Sequence, residues 1–316
     1  PFWRALQALC PEAEPRPPAQ PPAPAVWPDS LEPEALGLLP RIPWDGGLAQ
    51  AWQPGEPSAL ARLDQFLAGP VNRYANDRDL PADDGTSRLS PHLHWGEISP
   101  RRIWAALRAL PAGDEAAMQG RQVFLAEIGW REFAHHLLHQ FPDMISRPLD
   151  RRFERFPWQA GPSADANLRA WQQGRTGIPI VDAGMRQLWH TGWMHNRVRM
   201  IVGSLLTKNL RLPWQQGEDW FRDTLVDADE ASNSMGWQWI QGSGADAAPY
   251  FRIFNPVRQG ERFDPAGRYV RQWLPELAQV AKPWIHTPWL APAGVLAAAG
   301  VRLGSHYPEP IVDLAE

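Results

Sequence analysis

The chain has 316 residues, a hydrophobic fraction of 44% and a formal net charge of -4 at pH 7, so it is long enough to bury a large core. No apolar stretch approaches the roughly 20 residues of a membrane helix, and the single cysteine, Cys10, excludes an intramolecular disulfide, so we predict a cytoplasmic protein without a membrane partner. The small negative charge argues against non-specific coating of nucleic acid but is compatible with a local basic face.

The first part of the chain is rich in proline. Between Pro11 and Pro28 the sequence PEAEPRPPAQPPAPAVWP is unsuitable for a helix or a central strand, because each proline ring fixes φ and removes a backbone donor. Further prolines follow as far as Pro57. We therefore predict a proline-rich interdomain linker over residues 1–57 and a helical domain over residues 58–316.

Helical patterns begin after the prolines. In SALARLDQFLAG, Ser58 is placed to cap a helix whose apolar positions share one face, and Gly69 is placed to end it. In SPRRIWAALRAL, Ser99 precedes Pro100 in the same way. Amphipathic stretches recur in MQGRQVFLAEIGWREFAHHLLHQF, NLRAWQQG, AGMRQLWHTG, NRVRMIVGSLLTKNL and GEDWFRDTLV. No useful alternating strand pattern is present, so the sequence predicts a mostly α fold in one large helical domain.

A hydroxyl-rich segment, DDGTSRLSPHLH, places Thr86, Ser87 and Ser90 ahead of a possible helix start at Pro91. A helix N-terminus carries unpaired N–H groups and the positive end of the helix dipole, and neighbouring hydroxyls complete a site for a phosphate or diphosphate. A plain Ser-Pro helix cap is the simpler interpretation of the same residues. Both interpretations stay open on this segment alone.

The stretch WMHNRVRMIVGSLL predicts a helix with a polar stripe. Asn196, either Arg199 or Met200, and a glycine fall on one side, while the intervening apolar residues face the core. A solvated helix face is the ordinary explanation, although the glycine lets a flat or bulky group approach the backbone. In DADEASNSMGWQW, Asp227 and Asp229 are candidates to hold Arg199 by a charge-assisted pair if the fold brings them together.

The 18 tryptophans are the unusual feature of the composition. Each one alone is explained as core or interface filling, and no spacing argument assigns chemistry to any of them. The sequence has no Ser-His-Asp order, no Cys/His metal spacing and no Walker-type lysine loop, so we predict neither nucleophilic nor metal chemistry. From the residues alone, the interpretation is a helical protein with an anionic aromatic cofactor.

Six motifs together make the sequence resemble the flavin-binding part of the photolyase/cryptochrome family, most closely the bacterial class I cyclobutane pyrimidine dimer photolyases. They follow the family's order from about Tyr74 to Leu277: RYANDRDLPADDGTSRLSPHL, AEIGWREF, WQQGRTGIPIVDAGMRQL, GWMHNRVRM, DADEASNSMGWQW and DAAPYFRIFNPVRQGERFDP. The resemblance implies a large helical domain that binds FAD. It also implies an N-terminal α/β domain with an antenna chromophore in the complete protein, and we expect this chain to lack that domain.

The resemblance implies which residues contact FAD, whose active form in the family is reduced and anionic. The diphosphate and ribose contacts correspond to Tyr74, Thr86, Ser87, Arg88, Leu89 and Ser90. Further flavin contacts correspond to Arg131, Asn196 and Arg199. The acidic pair near the isoalloxazine and Arg199 corresponds to Asp227 and Asp229, and the residue that faces flavin N5 corresponds to Asn233.

The resemblance also implies how electrons and substrate reach the flavin. The family's chain of electron-donating tryptophans, from the flavin out to solvent, corresponds to Trp237, Trp214 and Trp158. Two indoles that replace the base stacking of a flipped-out lesion correspond to Trp130 and Trp239. Other lesion or cavity contacts correspond to Glu127, Arg197 and Met200, and positions on the DNA face to Arg78, Arg252 and Gln259.

The function that the resemblance implies is light-driven repair of cyclobutane pyrimidine dimers in damaged DNA, with an electron from reduced FAD, by an enzyme that we expect to be a monomer. A cryptochrome-type photoreceptor without repair activity is one alternative, and Asn233 and Trp239 favour repair over it. A (6-4) photoproduct photolyase is the other. Such enzymes need an active-site histidine pair for proton transfer, and this chain has Asn196 and Met200 at those positions.

Overall fold

The computed structural model describes residues 2–9, 22–246 and 252–314, and within these ranges the chain folds into α-helices without a β-strand. The α-helices are α1 (Phe2–Leu9), α2 (Gly46–Ala51), α3 (Glu56–Leu67), α4 (Pro70–Asp77), α5 (Ser90–His94), α6 (Pro100–Arg108), α7 (Glu115–Gln140), α8 (Pro162–Gln172), α9 (Pro179–Thr191), α10 (Asn196–Ser204), α11 (Trp214–Thr224), α12 (Glu230–Gln241), α13 (Pro256–Phe263), α14 (Arg268–Trp273) and α15 (Ala293–Ala298). The predicted mostly α fold is confirmed. None of the described helices combines the length and the apolar composition that crossing a membrane requires.

Short helical segments of other types connect these helices. The 3-10 segments are Pro33–Leu36, Pro142–Ile145, Arg151–Arg155, Pro275–Leu277, Lys282–Trp284 and Pro288–Leu290. A π-helical segment, Leu205–Asn209, directly continues α10. The hydroxyl of Thr207 in this segment donates to the carbonyl oxygen of Gly203 at 2.9 Å, which ties the segment back to the α-helix.

The positions of the prolines predict where these helices begin better than the positions of the serines do. α3 begins at Glu56, two residues before Ser58, because Pro57 fits the first helical turn, where no backbone N–H is needed. The prediction that Ser58 caps this helix is therefore wrong. The prediction for Ser99 is confirmed, since its hydroxyl oxygen accepts a hydrogen bond from the backbone N–H of Arg102 at 3.2 Å.

Among the described residues, two complete α-helices lie in the part predicted to be a linker. α1 packs against α6 and α7, because the rings of Phe2 and Phe133 are 5.1 Å apart and those of Trp3 and Trp104 are 5.9 Å apart. α2 contacts α9. The most proline-rich stretch, residues 10–21, lies outside the described residues. The domain boundary between residues 57 and 58 stays a prediction.

Two hydrophobic clusters form the core. The smaller cluster joins α3, α4, α6 and α7 and includes Leu63 and Phe124. The larger cluster joins α8 to α12 and α14 and includes Trp237. An ion pair between Nη2 of Arg197 on α10 and Oδ1 of Asp79 after α4, 2.7 Å apart, connects elements of the two clusters. The predicted site residues lie on both sides of this junction.

Candidate functional site

A buried ion pair joins α10 to the segment before α12. Nη2 of Arg199 lies 3.0 Å from Oδ1 and 2.8 Å from Oδ2 of Asp227, and Nε of Arg199 donates to the carbonyl oxygen of Met194 at 2.7 Å. The side chain of Asp227 is 2% exposed and that of Arg199 is 22% exposed. The pairing expected for these two residues is present, and it fixes the guanidinium plane near the start of α10.

The second carboxylate of the acidic pair has different partners. Asp229 is the N-cap of α12, where its Oδ1 accepts a hydrogen bond from the backbone N–H of Ser232 at 2.8 Å. Its Oδ2 lies 3.2 Å from Nε2 of His135 on α7. The expectation that Asp229 also holds Arg199 is wrong, because capping of α12 places this carboxylate between the helix start and α7.

Asn233, predicted to face flavin N5, is oriented by a buried carboxyl group. Its Nδ2 donates to the backbone carbonyl oxygen of Glu218 at 3.1 Å and to Oε1 of Glu218 at 3.0 Å. Glu218 is 1% exposed, and burial raises the pKa of its carboxyl group. Since both amide contacts go to Glu218, the carbonyl oxygen Oδ1 of Asn233 is the atom left to accept a hydrogen bond from another group.

The segment Thr86–Leu89 forms a loop ahead of the short helix α5, whose first residue is Ser90. Arg88 adopts a φ of 50°, in the left-handed region that non-glycine residues seldom enter. The hydroxyl oxygen of Ser87 accepts from the backbone N–H of Leu89 at 3.3 Å, and the carbonyl oxygen of Ser87 accepts from Nε of Arg62 at 3.1 Å. Contacts within the loop and with α3 therefore hold an uncommon backbone conformation of the kind that clusters at ligand sites.

Ser90 does not cap α5. Leu89 is the N-cap residue of this five-residue helix, and Oγ of Ser90 accepts from Nε1 of Trp193 at 3.4 Å. The guanidinium of Arg88 lies 5.2 Å from the centre of the Trp193 ring, and burial lowers the pKa of Arg88. The simple cap interpretation is wrong, because the hydroxyl and the cation of this loop both face the segment that leads into α10.

Two arginines predicted to meet the lesion or DNA are paired with carboxylates. Nη1 of Arg78 lies 2.6 Å from Oε1 of Glu127 on α7. Arg197 pairs with Asp79 and also lies 4.5 Å from the centre of the Phe263 ring. A phosphate that binds either guanidinium therefore has to share it with a carboxylate or displace that carboxylate.

The two indoles predicted to line the lesion cavity are both accessible in part. Trp130 lies on α7, three residues after Glu127, and is 42% exposed. Trp239 is partly buried. Its ring centre lies 6.0 Å from the ring centre of Phe254 and 5.8 Å from the guanidinium of Arg252. The aromatic face of Trp239 next to a cation suits the binding of an unstacked base and its phosphate.

The other residues predicted to contact FAD or DNA differ in their burial and in their partners. Tyr74 packs in the smaller core cluster, and burial raises the pKa of its hydroxyl well above the usual range. Nη1 of Arg131 lies 3.2 Å from the carboxylate of the adjacent glutamate. Nδ2 of Asn196 lies 4.0 Å from the sulfur of Met200. Oε1 of Gln259 is buried and finds no hydrogen-bond partner among the described residues.

The three tryptophans predicted to relay electrons lie at different depths. Trp214 is 1% exposed, Trp237 is 2% exposed, and Trp158 is partly buried at the edge of the larger cluster. Trp214 lies one turn before Gly217 on α11, and a Cβ atom at Gly217 would collide with the indole of Trp237. Trp171, for which the sequence predicts no role, is fully buried with its ring centre 6.2 Å from that of Trp237.

An open position on α12 has room for a group that approaches this helix. Gly236 is partly buried, yet a Cβ atom built on it would have no neighbouring atom within 4 Å. Gly236 follows Asn233 by three residues, so both lie on one helix face. The glycine of the α10 polar stripe, Gly203, is different, because its Cβ would be 3.0 Å from Ile240. Gly203 therefore serves the packing of α10 on α12, and the open space lies beside Asn233 and Gly236.

His195 is a buried histidine at the start of α10. It is 1% exposed, and its Nδ1 accepts a hydrogen bond from the backbone N–H of Arg197 at 3.2 Å. The pKa of His195 is lowered to about 4, mainly by burial, with a raising contribution from Asp79 and lowering contributions from nearby arginines. The imidazole is therefore neutral at pH 7 and acts as the cap of α10.

We expect acid to destabilise the fold through His195. The unfolded chain takes up the proton near the ordinary value of 6.5, whereas the folded pKa is about 4, so this contribution is complete above pH 6.5 and is lost as the pH falls toward 4. His195→Asn keeps an acceptor at the cap but cannot titrate. Between pH 7 and pH 4.5, urea denaturation should show the unmodified protein losing about 2–3 kcal/mol more than the variant. Parallel losses in the two proteins would contradict the assignment.

The positions of two residues of the candidate site, Glu218 and His135, could not be predicted from the sequence. Glu218 stands four residues before Arg222, a spacing that is typical of a solvated ion pair on a helix surface, so its burial could not be predicted. His135 is one of three histidines in AHHLLH, and periodicity alone does not select it. Their contacts with Asn233 and Asp229 are seen only in the folded structure, where α7, α11 and α12 meet.

The sequence matches the family described as the FAD binding domain of DNA photolyase over residues 124–316. A deoxyribodipyrimidine photo-lyase of Agrobacterium fabrum is 50% identical over 318 residues, which cover 99% of this chain and 65% of that protein. Cryptochrome-1 of Arabidopsis thaliana is 46% identical over 275 residues, which cover 85% of this chain and 40% of that protein. The chain thus spans less than two thirds of the length of either relative.

A solved structure shows the same architecture. A bacterial class III photolyase from Agrobacterium tumefaciens superposes with a TM-score of 0.91 at 50% identity, and the match covers 99% of this chain and 64% of the other. The likeness confirms the fold class. It does not support the narrower expectation of a class I enzyme, which stays a prediction.

Proposed function

We propose that the chain, which belongs to the photolyase/cryptochrome family, carries the FAD-binding and DNA-binding part of an enzyme that repairs cyclobutane pyrimidine dimers in light. The observation that carries the proposal is the fixed polar set near the starts of α10 and α12. In this set Arg199 is locked by buried Asp227, and Asn233 is locked by buried Glu218. The single cysteine fits a cytoplasmic location, and we expect a monomer.

The residues present fit FAD. The loop Thr86–Leu89 and Ser90 at the start of α5 offer hydroxyls and a cation for the diphosphate. Arg199 with the carboxylates Asp227 and Asp229 would hold the polar edge of the ring system, and the open position at Gly236 leaves room beside it. When bound in its reduced form, FAD supplies the electron that splits the dimer in light and recovers it afterwards, so that no net redox change occurs.

Asn233 would accept, and not donate, a hydrogen bond at the flavin. Its Nδ2 is committed to Glu218, so Oδ1 is free to accept a hydrogen from a ring nitrogen such as N5. A carbonyl oxygen at this position favours the protonated nitrogen of a reduced ring over the unprotonated nitrogen of an oxidised ring. Glu218 would thereby set the polarity of this contact through Asn233.

The residues at positions 196 and 200 favour a cyclobutane dimer over a (6-4) photoproduct as the substrate. A (6-4) photoproduct needs proton transfer, but Asn196 and Met200 occupy the positions where histidines would act. The neighbouring His195 is buried and caps α10, so it cannot reach a substrate. A cyclobutane dimer needs no acid, and Trp130 and Trp239 supply aromatic faces for the flipped-out dimer.

Gly236→Ala is expected to separate cofactor binding from folding. Alanine is preferred over glycine inside a helix and meets no neighbour here, so the cofactor-free protein should gain about 0.5–1 kcal/mol in free energy of unfolding. The same methyl group would occupy the space beside Asn233, so the bound flavin measured by absorbance should fall sharply.

Gly217→Ala is the matched control for this variant. The added methyl group would collide with the indole of Trp237, and such overpacking costs roughly 1–3 kcal/mol of stability. A stable Gly236→Ala protein with a full complement of flavin would show that the cofactor lies elsewhere.

Repair itself is tested with purified, chemically reduced protein and two oligonucleotides, one with a cyclobutane dimer and one with a (6-4) photoproduct. We expect light-dependent restoration of the first only, with none in the dark. Restoration of the (6-4) photoproduct would identify the other enzyme class. Lesion binding without any restoration in light would favour a photoreceptor or a flavoprotein without repair activity.

A further inference from the structure

We propose that Asp79 and Asp83 are positioning residues that clasp the loop of residues 78–89 across the cofactor site and slow the release of FAD. The inference rests on the proposed function, in which the end of this loop contacts the FAD diphosphate. The loop connects α4 to α5. Within it, Ala82 packs against the larger hydrophobic cluster, whereas Leu89 is buried in the smaller one. The loop therefore crosses from one cluster to the other.

Asp79 holds the first part of the loop on α10. Nη2 and Nε of Arg197 lie 2.7 Å and 3.2 Å from Oδ1 of Asp79. The side chains of Arg197 and Asp79 are 17% and 31% exposed, so water screens this pair only in part. Detachment of the loop from α10 would leave a largely buried guanidinium without its carboxylate.

Asp83 holds the middle of the loop on α14. Nη2 of Arg268 lies 2.6 Å from Oδ1 of Asp83, and the two residues are 185 positions apart in the chain. α14 belongs to the larger cluster through Tyr269. The side chains of Arg268 and Asp83 are 62% and 36% exposed, so this pair is weaker and more sensitive to salt than the pair of Asp79.

The last part of the loop is held on the opposite side, by α3 of the smaller cluster. Nη2 of Arg62 donates to Oδ1 of Asp84 at 3.1 Å, and Nε of Arg62 donates to the backbone carbonyl oxygen of Ser87 at 3.1 Å. Three aspartates of one loop thus pair with arginines on three different helices. Two of these helices, α10 and α14, belong to the larger cluster, and the third belongs to the smaller one.

The clasp joins residues that are expected to hold different parts of the cofactor. The predicted diphosphate contacts, Thr86–Leu89, end the loop, while Arg199 and Asn233 lie on α10 and α12 of the larger cluster. Release of a group held from both sides requires the loop to detach or the two clusters to separate. Both movements break the ion pairs of Asp79 and Asp83. These pairs therefore raise the barrier to FAD release by acting through the loop.

Three isosteric substitutions in the stretch DRDLPADD test the clasp. Asp79→Asn and Asp83→Asn each remove one link to the larger cluster. Asp77→Asn is the matched control, because Asp77 pairs with Arg73 of the same helix and links no other element. FAD release is followed by flavin fluorescence after dilution. We expect release about tenfold faster in Asp79→Asn, the scale of a charge-assisted hydrogen bond, and about threefold faster in Asp83→Asn. The control should match the unmodified protein.

Rescue and salt separate a clasp from a general packing defect. Asp83→Glu keeps the carboxylate at an accessible position, so its release rate should return to that of the unmodified protein. Raising the salt concentration from about 0.05 M to about 0.5 M should speed release from the unmodified protein by screening both pairs. The same change should have little effect on the double variant of Asp79→Asn and Asp83→Asn. The salt response of the unmodified protein does not depend on the folding of any variant.

Hydrogen exchange in cofactor-free protein tests the clasp independently of FAD. Backbone amides of residues 78–89 should exchange faster in Asp79→Asn and Asp83→Asn than in Asp77→Asn. Equal exchange in the three variants would overturn the clasp even if FAD binds as expected. Equal rates of FAD release in the three variants would overturn its role in retention. Unmodified protein that binds no FAD would count against the proposed function, and hydrogen exchange would still decide whether the loop is clasped.

Discussion

Arg199→Met is expected to lower the free energy of unfolding by about 3–5 kcal/mol and to yield protein without bound FAD. The substitution keeps the length and the apolar part of the side chain but removes the partner of Asp227, whose side chain is only 2% exposed. It also removes the donor to the carbonyl oxygen of Met194. An uncompensated carboxylate in a buried position costs far more than the loss of an exposed pair.

The control for this prediction is Arg73→Met. Arg73 pairs with Asp77 at helical spacing, but its side chain is 67% exposed, so the change should cost no more than about 0.5 kcal/mol. Both variants are compared by urea denaturation and by flavin absorbance after purification. Equal stability and equal flavin content in the two variants would contradict the role assigned to the pair of Arg199 and Asp227.

Trp214→Phe is expected to remove most light-driven reduction of oxidised flavin in the presence of an external electron donor. Phenylalanine keeps an aromatic ring in a site that is 1% exposed, so the packing defect is modest, but it is much harder to oxidise than an indole. Repair by chemically reduced protein should persist, because the electron for repair then no longer has to travel through the tryptophans.

Trp171→Phe is the matched control for the relay. Trp171 is as deeply buried as Trp214, and its ring lies close to that of Trp237, but it is not part of the predicted chain of Trp237, Trp214 and Trp158. Its replacement should leave photoreduction largely intact. If the two variants photoreduce equally well, or if only the Trp171 variant fails, the relay assignment is wrong. Loss of repair by the reduced Trp214 variant would indicate a structural role for this residue.

The helical fold could be predicted from the sequence because its signals are local. Ser99 caps α6 as expected, since a serine followed by proline at the first helical position needs no tertiary contact to act. The start of α3 was misplaced because Pro57 competes with Ser58 for the same role, and the proline decides the outcome. α1 could not be predicted from local signals, because α1 is stabilised by Phe2 and Trp3 packing on distant helices.

The candidate site could be predicted only in part, because its contacts join distant positions. Arg199 and Asp227 are an obvious pair of opposite charges, and they meet. Asp229 was expected to join them, but its position as the cap of α12 places it beside His135. The ion pair of Arg197 with Asp79 spans 118 positions of the chain, and nothing local selects that carboxylate over its acidic neighbours. The pair of Arg199 and Asp227 was thus predictable from the sequence, whereas the partners of Asp229 and Arg197 were not.

The ion pairs of Arg78 and Arg197 affect the salt dependence expected for DNA binding. Arg78 and Arg197 each share their charge with a carboxylate. Binding of phosphates would release fewer counterions than the number of arginines implies, so the salt dependence of DNA binding should be shallow. Lesion binding would then depend more on stacking against Trp130 and Trp239 than on phosphate contacts.

The central claim is that this chain binds FAD through the residues near the starts of α10 and α12, and identification of the cofactor tests it most directly. Purified protein is denatured, and the released chromophore is identified by mass and quantified by absorbance against the protein concentration. We expect FAD, close to one per chain, from the unmodified protein, and little or none from Arg199→Met. Release of FMN, or a folded protein without any flavin, would contradict the claim.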